Sequence, residues 1–483
     1  MNIYKEVFSK SDSKDIAIQY KSKTISYNDL TLAIQNTACV LKNEYIKNGS
    51  STLLLLPNCP EFIISFFAIS YIGGISVLVD TKLNKELLQI IKENNIQLVI
   101  TDNTGVLKIK KIIENSQDKN EIILLNPLVI IDKQMIWEFS KQNYNNILGA
   151  PVDDGDIYAM VLYTSGSESK PKGVINSHRT LIEALDNYIH TLPITKQDKF
   201  LAVIPFFHSY AFGSCMLAGL AVGATLVVEE EFQPRKIIKL ITQENISIFQ
   251  GVPYMYDMIN QYFDCTVHNF RNVRYFISAG APLHELTQIQ FFNKTTYIIH
   301  QEYGSSETGT LCLNLSNDMK KNISSVGKPL KNVIIELQDE DNGKGVICVK
   351  KQGCGVGYIN GKRFTDSWYA TEDIGAITED GYIEIYGRKN RMINISGLKI
   401  NPEEVETCIK KHDGIHDVLV TAMDDESGYA QNIKAFVIKS DKEITTDMLI
   451  KHCQANLALY KVPVNIEWVS SLPKSALGKT RSI

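Results

Sequence analysis

Between Tyr163 and Val174 the chain reads Tyr163-Thr164-Ser165-Gly166-Ser167-Glu168-Ser169-Lys170-Pro171-Lys172-Gly173-Val174. Hydroxyls, glycines and two lysines crowd into one stretch. It follows an apolar run, Ile157 to Leu162, that predicts a buried strand. Such a loop suits a polyphosphate: Ser and Thr donate hydrogen bonds, Gly lets backbone N–H groups approach closely, and Lys neutralises charge. It is not a Walker A loop, because Gly-Lys-Ser/Thr is absent at the required spacing. On its own residues the stretch could equally be a polar turn after a strand.

Five further segments carry residues fit for related chemistry. Tyr303-Gly304-Ser305-Ser306-Glu307 offers a flat aromatic for a purine face and a carboxylate for a hard cation that bridges phosphates. Ser278-Ala279-Gly280-Ala281-Pro282-Leu283 offers close backbone approach at Gly280. Trp368-Tyr369-Ala370-Thr371-Glu372-Asp373 offers, in Asp373, a carboxylate able to accept two O–H donors at once. Gly387-Arg388 follows, and Pro473-Lys474-Ser475-Ala476-Leu477-Gly478-Lys479 lies near the end of the chain. Read singly, each has a plain alternative. Tyr303 could be core packing, Glu307 and Lys479 solvated charges, Ser278 to Leu283 an ordinary strand-to-helix turn, and Asp373 with Arg388 a charge pair at a turn.

Together, and in this order, the segments resemble the signatures of the adenylate-forming (ANL) superfamily, closest to acyl-CoA synthetases and enzymes like 4-coumarate-CoA ligases. The resemblance covers most of the chain. It implies that Thr164, Ser165, Gly166, Ser167, Lys172 and Gly173 hold the departing pyrophosphate. It implies that Gly280, Ala281 and Pro282 wall one face of adenine while Tyr303 and Gly304 take the other. Ser306 would contact phosphate and Glu307 would hold Mg²⁺. Asp373 and Arg388 would bind ribose, and Lys479 would be the catalytic lysine of adenylation. Tyr460-Lys461-Val462-Pro463 is also similar to a family segment. The sequence departs from the family at Glu168, Ser169, Glu372, Asn390 and Asn394. Glu168 adds an acid to a phosphate loop, where it should repel nucleotide unless it points away or helps hold Mg²⁺.

Pro205-Phe206-Phe207-His208-Ser209-Tyr210-Ala211-Phe212 resembles the acyl- and aryl-CoA ligases of the superfamily. Its amino-acid-activating members carry an Asp where His208 stands. Imidazole cannot replace a carboxylate as partner for an ammonium, so an amino acid is disfavoured. Phe207, Tyr210 and Phe212 could line an apolar pocket or belong to the core, and His208 could be a packed core histidine.

The implied function is ATP-dependent activation of an aryl or fatty acid to acyl-AMP, then transfer to the thiol of coenzyme A. The implied cofactors and partners are ATP, Mg²⁺, the carboxylic acid and coenzyme A. One alternative is a free-standing acyl-AMP ligase that loads the phosphopantetheine of a carrier protein in trans. Another is a nucleotide-binding protein with catalysis weakened by Glu168, Glu372 and Asn390.

The elements that must position these residues follow from pattern. Thr24 to Tyr27 alternates like a strand, with Asn28 as a candidate cap for a helix over 29–43. Ser51 to Leu56, Ile96 to Thr101 and Ile122 to Leu125 are further strands, separated by helical stretches, and Lys108 to Asn120 has the charge of a solvated face. This alternation predicts a parallel sheet covered on both faces. Phe62 to Val79 is apolar for long enough to raise a membrane span, but Ser65, Ser70, Gly73, Gly74 and Ser76 interrupt it. The reading is a helix, Pro60 to Ile72, a turn, and a buried strand, Ile75 to Val79. Helices are also predicted over 179–192 and 234–243, and strands over 246–249, 272–277 and 296–300. After Gly327 short strands alternate with Asp, Asn and Gly turns, and Gly387 to Asn390 breaks the pattern. Asn401-Pro402-Glu403-Glu404 then starts a capped helix, strands follow over 418–422 and 433–438, and Thr445 caps a helix over 445–456.

The expected fold is therefore α/β: a large N-terminal domain of stacked α/β sheets with a small β-rich subdomain, over 1–387, then a hinge at 388–390, then a small mobile α+β C-terminal domain over 391–483. A length of 483 residues allows more than one domain. Hydrophobic content of 44% and charged content of 22% describe an ordinary soluble protein, and a net charge of −4 gives no general basic field for nucleic acid. Nine scattered cysteines without a C-x-x-C pair argue for a reducing compartment, so a cytoplasmic enzyme is expected. Met1 to Lys14 contains no apolar h-region, and the chain ends on Arg481-Ser482-Ile483 rather than a peroxisomal address.

Overall fold

Two sheets that are mostly parallel organise the larger part of the molecule. The computed structural model of the chain describes residues 1–9, 14–114, 129–139, 149–164, 171–364, 368–389, 393–395, 398–424, 431–440 and 442–472. They form two compact units. One comprises Met1–Asn322, Pro329–Val333 and Lys351–Ser367; the other comprises Ile323–Lys328, Ile334–Lys350 and the chain from Trp368 onward.

In the first unit a seven-stranded sheet runs Gly357–Tyr358, Lys172–Ser177, Tyr158–Thr164, Ile75–Leu78, Ser51–Leu55, Leu98–Thr101, Val129–Asp132. The last five strands are parallel neighbours. Tyr158–Thr164 and Lys172–Ser177 instead form an antiparallel hairpin. Leu53, Leu55, Val77, Val99, Val161 and Ile175 bury one continuous core on this sheet. A second sheet has parallel neighbours in the order Ile299–Ser305, Tyr275–Ser278, Ile248–Gly251, Lys199–Ala202, Thr225–Val228, Ile16–Tyr20. Antiparallel strands flank it, Gly309–Leu313 on one side and Lys23–Ser26 on the other.

The helix Pro60–Tyr71 is buried at every position but Glu61. Its rings meet those that follow the strand Lys199–Ala202: Phe62 lies 5.6 Å from Phe206, and Phe66 lies 4.8 Å from Phe212 in edge-to-face contact. This double-sided burial accounts for a composition that reads, in sequence, as a membrane candidate. Among the described residues no helix is long and apolar enough to cross a membrane. A later apolar run, Leu201 to Val228, which Pro205, His208 and several glycines interrupt, falls on the strand Lys199–Ala202, a π-helix Ala211–Leu217 continued by Ala218–Ala221, and the strand Thr225–Val228.

In the second unit, Val333–Asp341, Lys344–Lys351, Tyr369–Ile377 and Ile383–Arg388 make a four-stranded sheet. Ile393–Ile395 pairs with Leu398–Ile400, and Ile415–Asp424, Gln431–Lys439 and Asn465–Trp468 form a three-stranded sheet. The helices Pro402–Lys410 and Thr446–Asn456 pack onto the three-stranded sheet through Val405, Ile409, Val418, Val437 and Leu449. Both caps read from sequence are in place: Asn401 accepts from the Glu403 N–H and Thr445 from the Met448 N–H.

Several expectations shift. The first long helix is Tyr27–Glu44 and its cap is Ser26, not Asn28. Ser26 is extended at φ −73°, ψ 163°, so its Oγ reaches the Asp29 N–H at 3.1 Å, whereas Asn28 is already inside the first turn and exposed. Thr296 is the left-handed residue ending the helix Glu285–Thr295, and the strand begins only at Ile299. The strand Ile383–Arg388 runs through Gly387, where a break was expected. Lys108 lies in the amphipathic helix Asn103–Glu114, whose Ile109 is fully buried. The strand expected over 122–125 lies outside the described residues.

A buried polar cluster lies where the second sheet meets the π-helix. One oxygen of Glu302 accepts from Ser214 Oγ and Thr310 Oγ1, each at 2.6 Å, and the other accepts from the Tyr188 hydroxyl at 3.3 Å. Gln250 Nε2 donates to the Tyr188 oxygen at 3.0 Å and to the Ser214 carbonyl at 3.2 Å. Burial, reinforced by the Glu302 charge, pushes the Tyr188 phenol well above its ordinary pKa.

Two predictions follow from these contacts. Ser26→Ala should destabilise the protein by about 1 kcal/mol, and Asn28→Ala should leave the melting temperature nearly unchanged. Glu302→Ala strands buried hydroxyls and should cost about 2 kcal/mol or more. Glu302→Gln, which keeps the volume and an acceptor oxygen, should cost less; thermal melts of the three proteins check the order.

Candidate active site

The polar hairpin is built from the strands Tyr158–Thr164 and Lys172–Ser177, with Thr164 directly opposite Lys172. Residues 165–170 lie outside the described residues, so Ser165, Gly166, Ser167 and the departures Glu168 and Ser169 do too. Beneath the hairpin the Tyr163 hydroxyl accepts from Asn94 Nδ2 at 2.7 Å and donates to Glu93 at 3.2 Å. Burial raises its pKa above the ordinary phenol value. Gly173 is the cross-strand partner of Tyr163, and a Cβ there would come within 2.9 Å of the tyrosine ring. Glycine at 173 is thus required by side-chain packing inside the hairpin. Lys172 is exposed, and its ammonium lies 5.8 Å from the centre of the Tyr358 ring.

The segments singled out in the second sheet leave the carboxyl ends of its parallel strands. Ser278 to Pro282 follows Tyr275–Ser278, Tyr303 to Glu307 continues Ile299–Ser305, and Pro205 to His208 follows Lys199–Ala202. In open α/β sheets this is the edge at which ligands bind. Gly280 has φ +85°, a conformation that favours glycine. Ala281 is half-buried beside it and Pro282 is exposed.

The turn after Tyr303 is tightly made. A Cβ on Gly304 would sit 2.2 Å from the Gly309 carbonyl oxygen, so only glycine lets the two strands close. The Ser305 N–H donates to Thr308 Oγ1, and the Thr308 N–H donates to Ser305 Oγ, each at 3.2 Å. This reciprocal pair holds the turn that displays Ser306 and Glu307. Ser306 Oγ is 3.3 Å from Ser209 Oγ, within hydrogen-bond distance, which joins the turn to the His208 segment. Glu307 Oε1 accepts from the Tyr358 hydroxyl at 2.8 Å, and the Glu307 carbonyl accepts from the Gly355 N–H at 2.8 Å.

The His208 segment is clamped from behind by Asn58, which donates to the Ile204 carbonyl at 2.9 Å and accepts from the Phe206 N–H at 2.8 Å. His208 is half-buried, with its ring 4.6 Å from that of Phe207. Phe212 is fully buried against Phe66 and belongs to the core. The Tyr210 hydroxyl donates to the Ile277 carbonyl at 3.1 Å, one residue before Ser278.

Lys172, His208, Ser306 and Glu307 thus belong to one connected set of contacts. Asp373 and Arg388 lie in the second unit, where they are cross-strand partners joined by an ion pair, Arg388 Nε to Asp373 Oδ1 at 3.1 Å. Glu372 beside them has φ +64°, a region L side chains enter at a cost of order 1 kcal/mol. Lys479 and Asn390 lie outside the described residues, and of Asn394 the structure describes the strand but not the side chain. Sequence reasoning missed Ser209, Glu302 and Tyr358. Glu302 carried a signal, a charge inside a strand otherwise buried at its start. Tyr358 carried none, because its partners are set by chain pairing across long separations.

The description "AMP-binding enzyme" matches residues 6–359, and "AMP-binding enzyme C-terminal domain" matches residues 404–479. The chain is 28% identical to 4-coumarate:CoA ligase 1 of Petunia hybrida, over 94% of this chain and 87% of that one. It is 25% identical to the long-chain-fatty-acid–CoA ligase FadD13 of Mycobacterium tuberculosis, over 94% of this chain and 91% of that one. Its fold is that of ATP-bound MatB from Rhodopseudomonas palustris, with a TM-score of 0.89 at 22% identity, covering 100% of this chain and 97% of the other. A match spanning well over half of the chain settles its membership: the protein belongs to the AMP-binding enzyme family.

Proposed function

We propose that the protein is an AMP-forming acid–thiol ligase that activates an aryl or fatty acid as acyl-AMP and passes the acyl group to coenzyme A. The observation that supports it most is the junction of the Lys172 hairpin, the Ser306–Glu307 turn and the His208 segment at the strand ends of two sheets. The relatives are named CoA ligases for coumarate and for long-chain fatty acids, which favours a carboxylic acid substrate and coenzyme A as acceptor. Nine free cysteines favour a reducing, cytoplasmic setting.

Glu307 suits Mg²⁺. One of its oxygens is engaged by Tyr358, and the other accepts no hydrogen bond among the described residues. A single carboxylate together with substrate phosphates is the usual way this ion is held. Bound there, Mg²⁺ would neutralise the triphosphate.

In the first step a carboxylate oxygen attacks the α-phosphorus of ATP. The bond to the bridging oxygen breaks, and pyrophosphate leaves with the electron pair. The hairpin, through Thr164, Ser165, Gly166, Ser167, Lys172 and Gly173, receives that charge. Gly280, Ala281 and Pro282 line one face of adenine, and Tyr303 with Gly304 the other. Ser306 contacts phosphate, while Asp373 with Arg388 takes the ribose hydroxyls. Lys479 bridges carboxylate and α-phosphate, where charge moves between them. His208, in place of an acidic residue, marks the acyl side and disfavours a substrate ammonium. In the second step the thiol sulfur attacks the acyl carbon, the thiol proton is lost, and AMP departs. The division at 388–390 is retained: residues 391–483 deliver Lys479 for the first step and withdraw it for the second.

Lys479→Ala should abolish acyl-AMP formation, measured as acid-dependent pyrophosphate release. It should leave thioester formation from supplied acyl-AMP largely intact. Survival of both half-reactions would show that another residue does this work. In the parent protein, a thioester formed with coenzyme A alone supports the assigned acceptor; one formed only with a holo carrier protein would reassign it.

A further inference from the structure

We propose that Tyr358 is a positioning residue for Glu307, its phenol holding one carboxylate oxygen so that the other is presented to a divalent cation. The inference rests on the reading of Glu307 as the Mg²⁺-holding carboxylate.

Tyr358 lies in the short strand Gly357–Tyr358, antiparallel to the second strand of the polar hairpin, with Tyr358 opposite Val174 and Gly357 opposite Ile175. Its backbone is fixed on both sides. The Tyr358 N–H donates to the Lys362 carbonyl at 3.0 Å, the Val356 N–H to the Ile175 carbonyl at 2.7 Å, and the Ile359 N–H to the Gly173 carbonyl at 2.8 Å. The ring is oriented by an edge-to-face contact with Phe364, centroids 5.0 Å apart at 84°, and by the Lys172 ammonium over it. From this anchored ring the hydroxyl donates to Glu307 Oε1 at 2.8 Å.

A glutamate has three side-chain torsions, and ordering it costs conformational entropy. A charge-assisted O–H···O⁻ bond from a ring held by Phe364 and by its paired backbone restricts that freedom before the cation arrives. The bond also couples two parts of the site. Tyr358 is paired to the strand that carries Lys172, and Glu307 lies in the turn that follows a strand of the other sheet. The phenol therefore sets the separation between the lysine that would meet phosphate and the carboxylate that would meet metal. Loss of a contact of this type, one step out from the ion, typically lowers metal affinity about 10–100-fold.

The test is ATP binding in the absence of any carboxylic acid, titrated with MgCl₂ and followed by calorimetry, so that no turnover intervenes. Tyr358→Phe keeps the ring, its packing on Phe364 and the backbone pairing. It should raise the half-saturating Mg²⁺ concentration about 10-fold, with ATP binding in EDTA and the melting temperature unchanged. Glu307→Gln should raise the Mg²⁺ requirement too, and Tyr358→Phe should add little on that background. If Glu307→Gln shifts the requirement and Tyr358→Phe does not, the positioning role is wrong and the reading of Glu307 stands. An additive double variant also overturns the positioning role, since Tyr358 would then act elsewhere. If Glu307→Gln leaves the requirement untouched, both readings fall.

Discussion

Three backbone hydrogen bonds carry the arrangement of the site. The N–H groups of Gly355, Val356 and Ile359 donate to the carbonyls of Glu307, Ile175 and Gly173. The first carbonyl belongs to a turn of one sheet, and the other two belong to a hairpin of the other. Buried backbone groups must be paired, so a segment that satisfies acceptors on both sheets fixes their mutual position at this edge. Lys172 and Glu307 owe their proximity to this segment, although 134 positions separate them in the chain.

Around this staple, glycines do steric work. Gly173 makes room for the Tyr163 ring, and Gly304 lets two strands close to a distance no side chain would permit. In sequence Gly173 reads as close backbone approach to a polyphosphate, and the resemblance puts Gly304 beside adenine. In the fold they are positions of close packing. A site that must receive the charge of a triphosphate gains from donors whose reorganisation is small.

Polar burial behind the site has the same logic. Asn58 holds the backbone ahead of His208 from both its amide atoms, and Glu302 gathers Ser214, Thr310 and Tyr188 beneath the π-helix. Such networks are costly when half satisfied and rigid when complete. A π-helix at this point widens the turn that carries Ser214 toward Glu302, and π-segments are frequent at functional sites.

Local chemistry determined much from sequence alone. Asn401 before Pro402 and Thr445 before Thr446 cap the helices they were expected to cap, because a cap involves only residues two or three apart. The apolar strands Ser51–Leu55, Ile75–Leu78, Leu98–Thr101, Ile248–Gly251 and Tyr275–Ser278 were legible for the same reason, as was the order of motifs along the chain, whereas Ile16–Tyr20, Val129–Asp132, Lys199–Ala202 and Thr225–Val228 were not read as strands. Where two local signals competed, at Ser26 and Asn28, backbone direction decided for Ser26, and that direction is set by the strand preceding it. Only the tertiary structure decided that the strands on either side of the polar loop pair antiparallel, that Phe212 is core, and that Tyr358 meets Glu307. Those facts depend on pairing between distant strands, which rests on burial and hydrogen bonding summed over the whole sheet and leaves no mark at the residues themselves.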